Sequence, residues 1–199
     1  DEIVSGYAAA ARRLLAAGLD GVEVVASHGY LPAQFLNPRV NRRGDAYGED
    51  HPETVAARHG LATVLRDRGW PTDAETEFRE VFEVQRRLLG DMHPHTLEVR
   101  HNLADLLMER GQLEAAEAEF REVYAARREV LGEQHLLTLS VRHGAAHVLH
   151  LRGRTDRAET EYRTVLADCV DTLGPRHPGT LAVRHNLADL LCLKGELVQ

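Results

Sequence analysis

Four glycines divide this chain at equal intervals: Gly48, Gly90, Gly132 and Gly174 each follow the last by 42 residues. Many other residues keep that register. His51, His93, His135 and His177 come next, then Thr54, Thr96, Thr138 and Thr180, then the pairs Arg58-His59, Arg100-His101, Arg142-His143 and Arg184-His185. A second glycine set, Gly69, Gly111, Gly153 and Gly195, closes the pattern. Self-similarity at a fixed period of this size predicts a stack of supersecondary units, each touching only its neighbours. Such arrays present a surface to a partner, so the expectation is recognition and not chemistry.

The second unit shows how each is built. Pro94 suits the first position of a helix, where its missing N–H costs nothing, and Gly111 supplies the left-handed residue that closes one. The spacing predicts a first helix from Pro94 to near Arg110, about 25 Å long, and a second from about Leu113 to Leu131. Leu97, Leu103, Ala104 and Leu107 fall at helical spacing, as do Ala116, Phe120 and Val123. Glu75/Arg79, Glu117/Arg121 and Glu159/Arg163 stand four apart and should each support a second helix by a few tenths of a kcal/mol. Leu136 replaces proline in the third unit, which predicts a looser helix start. The histidines just before the first helices read as turn residues.

Small residues recur at Ala62, Ala104, Ala146 and Ala188 and at Ala74, Ala116 and Ala158, where two helices must approach closely. An aromatic follows in each second helix: Phe78, Phe120, Tyr162. With the His-Pro-x-Thr start and the Asn-Leu-Ala of 102–104 and 186–188, residues 48–199 resemble the tetratricopeptide repeat proteins of the kinesin-light-chain-like kind. The resemblance implies an all-α fold, an α-solenoid of helix pairs numbering three and a half repeats: 48–89, 90–131, 132–173 and a truncated 174–199. That last unit holds only a first helix, which predicts a sticky C-terminal edge and self-association through it.

The resemblance also implies that the first helices line a concave groove for a protein or peptide partner, with asparagines bonding the partner's backbone. By register the groove holds His59, His101, His143 and His185, Asn102 and Asn186. Next come Thr63, Asp105, His147 and Asp189, and one turn on Arg66, Met108, His150 and Cys192. The alternative is that the repeated Arg-His pairs and asparagines hold neighbouring repeats together. Repetition is what packing demands, whereas specificity shows as variation, so the varying positions are the preferred partner contacts. His143, His147 and His150 share one helix face at a spacing that can chelate zinc, copper or nickel. No carboxylate lies within a turn and three ligands on one straight helix do not complete a tetrahedron, so no metal is expected. A pH-sensitive groove is the milder reading, with the neighbouring arginines opposing protonation of the histidines. Cys169 falls on a second helix and reads as an interior thiol.

Before Gly48 the period fails. Asp1 to Gly18 reads as a helix and Gly21 to Ala26 as a short strand. The run from Ala16 to Gly48, AAGLDGVEVVASHGYLPAQFLNPRVNRRGDAYG, resembles a segment of the Old Yellow Enzyme family, FMN-dependent NAD(P)H-oxidising reductases built on a (β/α)8 barrel. On that resemblance residues 1–47 are a short helix-strand fragment of such a barrel and not an independent domain. His28 matches one member of the family's substrate-binding pair and Tyr30 its proton donor. Val25 stands at the other member and can donate nothing, and one strand cannot close a barrel of eight. His28 and Tyr30 are therefore a family-matched remnant not expected to function. No cofactor is expected, FMN requiring a complete barrel. A fragment of an FMN-dependent oxidoreductase fused to repeats is the alternative reading. The leading helix, Ile3 to Ala17, could instead cap the first repeat.

Composition narrows the partners. A net charge of −7 argues against a nucleic-acid binder, which needs a basic stripe. No apolar run approaches the ~20 residues that span a bilayer, so no membrane partner is expected. Two cysteines, Cys169 and Cys192, with no CxxC point to a reducing, cytoplasmic compartment. The chain starts at Asp1 without methionine and stops at Gln199 inside a repeat; both ends read as cuts.

Overall fold

The computed structural model describes residues 50–195. Within them run seven helices: α1 (Pro52–Asp67), α2 (Pro71–Leu89), α3 (Pro94–Glu109), α4 (Leu113–Leu131), α5 (Leu136–Leu151), α6 (Thr155–Leu173) and α7 (Pro178–Lys194). No strand occurs among the described residues. The helix and strand read before Gly48, the leading-helix cap, and His28 and Tyr30 lie outside the described residues. In the second unit the expected bounds differ by one residue at a single end, where Arg110 caps α3.

Each helix packs on the next in sequence, which builds an α-solenoid of antiparallel pairs. Across neighbouring pairs, α3 touches α5 and α5 touches α7, while no comparable contact joins α2, α4 and α6 to one another. The first helices therefore form the more closely spaced layer, the side on which a stack of this kind curves inward.

Local chemistry sets the helix ends. His51, His93, His135 and His177 are not merely turn residues. Each ring accepts through Nδ1 from the backbone N–H two residues on, at 3.1–3.2 Å, satisfying a donor that the first turn leaves orphaned. In the third unit this cap is intact at 3.2 Å without proline, so the start is held in register and not loosened. The first helices end in a Schellman arrangement, for which Gly69, Gly111 and Gly153 adopt φ of 72–77°. Trp70 N–H, for example, returns to Leu65 O at 2.9 Å.

The core is where the small residues and aromatics predicted it. Ala62, Ala74, Ala104, Ala116, Ala146 and Ala158 are fully buried, as are Phe78, Phe120 and Tyr162. Polar residues tie the layers. In the three complete repeats the arginine of the Arg-His pair reaches the second helix of its own repeat: Arg58 to Glu77 at 2.8 Å and Glu80 at 2.5 Å, Arg100 to Glu119 at 2.6 Å and to Glu122, Arg142 to Asp168 at 2.6 Å. A second set joins successive repeats: Glu75 to Arg110, Glu117 to Arg152, and Glu159 to Lys194 at 2.7 Å. Glu75–Arg79 and Glu159–Arg163 form the expected pairs at 2.9 Å. Glu117–Arg121 does not. Arg152 and Arg154, both from the following repeat, have drawn Glu117 away.

Candidate functional site in the first-helix layer

The register that repeats His59, His101 and His143 places each ring against the aromatic of its own second helix, edge-on to Phe78 and Phe120 at centroid distances of 5.9 and 5.7 Å and tilted on Tyr162 at 5.9 Å. Asn102 donates through Nδ2 to His59 Nε2 at 2.8 Å, and Asn186 does the same to His143. These four residues thus bridge neighbouring repeats. The arginines beside them do not, since their partners are within the repeat.

The asparagine position alternates with glycine: Gly60, Asn102, Gly144, Asn186. Where Gly144 stands, the Phe120 ring occupies the space, and a Cβ there would lie 2.6 Å from it. His101 therefore has no asparagine. Its Nε2 stands 3.5 Å from Asp105 Oδ2 and its Nδ1 is buried without a hydrogen-bond partner.

Burial dominates the electrostatics here. It lowers His101 to about 4, with Arg127 and Arg66 adding to the effect. It lowers His143 to about 4, with His147 contributing, and it lowers His59 and His147 as well. Burial also raises Asp105 to about 6. The histidines resist protonation, and the cause is not the neighbouring arginines. Desolvation is responsible, and the adjacent arginines are turned toward the second helices.

Among the varying positions, Thr63 bonds back to His59 O at 3.1 Å and Arg66 lies against Asp67 at 3.3 Å. Met108 packs on the core. His147 and His150 are partly buried, their rings 6.3 Å apart. His185 and Asp189 pair at 3.3 Å on the exposed face of α7, and Cys192 is exposed. Among the described residues no group of three or more His, Cys, Asp or Glu is gathered to hold a metal. His143 Nε2, one of the three spacing-matched nitrogens, is already occupied by Asn186. Cys169 is buried on α6, and burial pushes its thiol up.

Cavities among the described residues interrupt this packing. One of about 360 Å3 lies between α4, α5 and α6, bordered by Phe120, Tyr124, Ala145 and Leu149. Ala145 stands there where the register has Leu61, Leu103 and Leu187. Another, of about 370 Å3, lies between α1, α2 and α3 beside Gln85. Sequence reasoning missed Gln85. The available signal was a polar residue, with Arg127 one period later, on a helix face that is otherwise apolar.

Stacked helix pairs with an inner layer of first helices define an α-solenoid repeat protein. A family model described as tetratricopeptide repeat matches residues 53–129, 97–169 and 138–199. The chain belongs to the tetratricopeptide repeat family. It is similar to a kinesin-light-chain-type protein of Podosopora anserina with nearly identical TPR-like repeats. The crystal structure of that protein is 27% identical with a TM-score of 0.61, and the match covers 79% of this chain and 72% of that one. BtubC (BKLC) from P. vanneervenii, 17% identical with a TM-score of 0.63 over 80% of this chain and 61% of its own, shares the fold.

Residues 1–59 match a second family model, NADH:flavin oxidoreductase / NADH oxidase. Over 49 residues the chain is 57% identical to a metal reductase of Desulforamulus reducens, covering 25% of this chain and 7% of that protein. Over 47 residues it is 55% identical to the flavin oxidoreductase hxnT of Emericella nidulans, covering 24% and 12%. The chain thus spans 7–12% of the length of these curated relatives. No described helix is long and apolar enough to cross a membrane.

Proposed function

We propose that this chain is a cytoplasmic, non-catalytic scaffold that binds a protein or peptide segment along its first-helix layer. The observation that carries the reading is the division of labour in that layer. His59, Asn102, His143 and Asn186 are spent on joining repeats, which leaves Thr63, Arg66, Asp105, Met108, His147, His150 and Asp189 to vary and to meet a partner. His101 and His185 pair with Asp105 and Asp189 and contribute to that face. Family membership supports it too, because arrays of this kind offer extended concave surfaces for binding.

Peptides selected by display against the chain test the reading. Binding should fall on Asp105→Lys and His147→Glu and persist on Glu129→Lys, which lies on an exposed face of α4. Indifference to both groove substitutions would sink it. Leu181 and Leu193 are exposed on α7, Leu193 at 78%, and self-association through that helix is part of the same proposal; sedimentation at rising concentration checks it.

A second reading rests on the match over residues 1–59: a piece of an FMN-dependent NAD(P)H oxidoreductase joined to repeats. The reductase match covers residues 1–59 alone and the tetratricopeptide match residues 53–199, so the scaffold reading is preferred. FMN fluorescence should stay unquenched by the purified chain, and saturable quenching would favour the reductase.

A further inference from the structure

The protein carries its own precedent for what fills the cavity beside Gln85. Gln85, Arg127 and Cys169 occupy one register position, a period apart, near the ends of α2, α4 and α6. Arg127 is 3% exposed. Its guanidinium threads between the helices, donating to Leu137 O at 2.9 Å and, more weakly, to Leu97 O at 3.4 Å. It closes the interface between the second and third repeats.

One interface earlier the arginine is missing. Gln85 is 7% exposed, and its Oε1 is buried with no hydrogen-bond partner. An orphaned buried acceptor is costly. The cavity of about 370 Å3 opens beside it, walled by Val55, Leu88 and Leu89, with Glu53 and Glu98 at its border; that volume is in the range of ligand sites. Val55 and His95 stand one period before Leu97 and Leu137, the residues whose carbonyls hold Arg127. Glu98 has only Ser140 as its counterpart in the later interface, and its charge is felt by Arg127 as well as at the cavity. Among the described residues no lysine or arginine lines the cavity. His59 is engaged by Asn102 and kept neutral by burial, and His95 only approaches Glu98, at 3.6 Å.

We infer that this cavity is a receptor for a guanidinium supplied from outside, the arginine side chain of a partner polypeptide. Its methylenes run along Val55 and Leu88, and its head donates to Gln85 Oε1 within reach of the Glu98 carboxylate. Carboxylates beside the orphan acceptor favour a cationic donor, and a planar guanidinium supplies several N–H groups at once. The inference rests on the peptide-binding reading only for the occupant's being part of a polypeptide.

Nα-acetyl-arginine amide, titrated into the full chain by isotope-edited NMR, tests it. Saturable shifts at Gln85 and Val55 are expected, while the neutral isostere Nα-acetyl-citrulline amide should give none. Gln85→Arg, which installs the second repeat's own answer, should abolish binding and raise Tm. Glu98→Gln, at an exposed carboxylate with little bearing on folding, should weaken binding about fivefold. No saturable shift with the arginine probe, equal binding of citrulline, or arginine binding untouched by both variants would overturn the proposal. Display-selected peptides that still respond to Asp105→Lys while the arginine probe fails would overturn this inference alone and leave the groove reading standing.

Discussion

At the scale of single residues, two neighbouring positions in α5 decide how the second and third repeats meet. Gly144 lets the fully buried Phe120 ring lie against the helix backbone. Gly144→Ala gains helix propensity of about 1 kcal/mol, but its methyl would meet a ring that cannot move without displacing core. Overpacking costs about 1–3 kcal/mol, so the substitution should destabilise on balance, read as a lower urea midpoint. Ala145→Leu should do the opposite. It restores the leucine of the other repeats in a cavity of about 360 Å3, and burying the added methylenes is worth roughly 1–2 kcal/mol. An unchanged or lower midpoint would mean that the cavity is not shaped for that side chain. Neither effect was legible beforehand. The letters Gly-Ala-Ala were visible, but only packing shows that one glycine admits a ring and one alanine leaves a hole.

At the scale of the helix, the caps carry the argument. Three first helices have proline behind their histidine; α5 has Leu136 and relies on the His135 ring as side-chain acceptor. His135→Ala should therefore cost about 1 kcal/mol, and His135→Asp, which restores an acceptor at the cap, should recover it. Equal stability of the two variants by denaturant titration would refute the cap's importance. Helix bounds were readable from the sequence because proline, glycine and the apolar spacing mark ends locally. The pairing of Glu117 was not. Four-residue spacing favours Arg121, but the stacking of repeats brings Arg152 and Arg154 within reach, and tertiary proximity is absent from a one-dimensional pattern. The groove positions were legible only as a register; which of them are consumed in joining repeats required the His59–Asn102 and His143–Asn186 bonds.

At the scale of the whole array, buried histidines set its response to acid. His101 and His143 are held at about 4 in the fold against a usual 6.5, and His59 and His147 are lowered too. The unfolded chain then binds more protons in this range, so stability is fully present above about pH 6.5 and is lost as pH falls toward 4. Asp105 acts in the other direction, since its raised value near 6 favours the fold as it protonates, but one carboxyl offsets only part of the loss from four rings. Tm should fall between pH 7 and pH 5, and His143→Gln should shrink that fall. A flat profile, or one that the variant leaves unchanged, would show that these rings do not control it.

The alternation of Gly60, Asn102, Gly144 and Asn186 has a consequence for how such a rod can lengthen or shorten. The eight residues Arg100–Leu107 recur unaltered as Arg184–Leu191, two periods on and not one, so odd and even junctions are chemically different joints. Excising a single repeat would set His59 opposite Gly144 and strand its imidazole, whereas excising two would bring matched surfaces together again. The heritable brick of this array is the doublet.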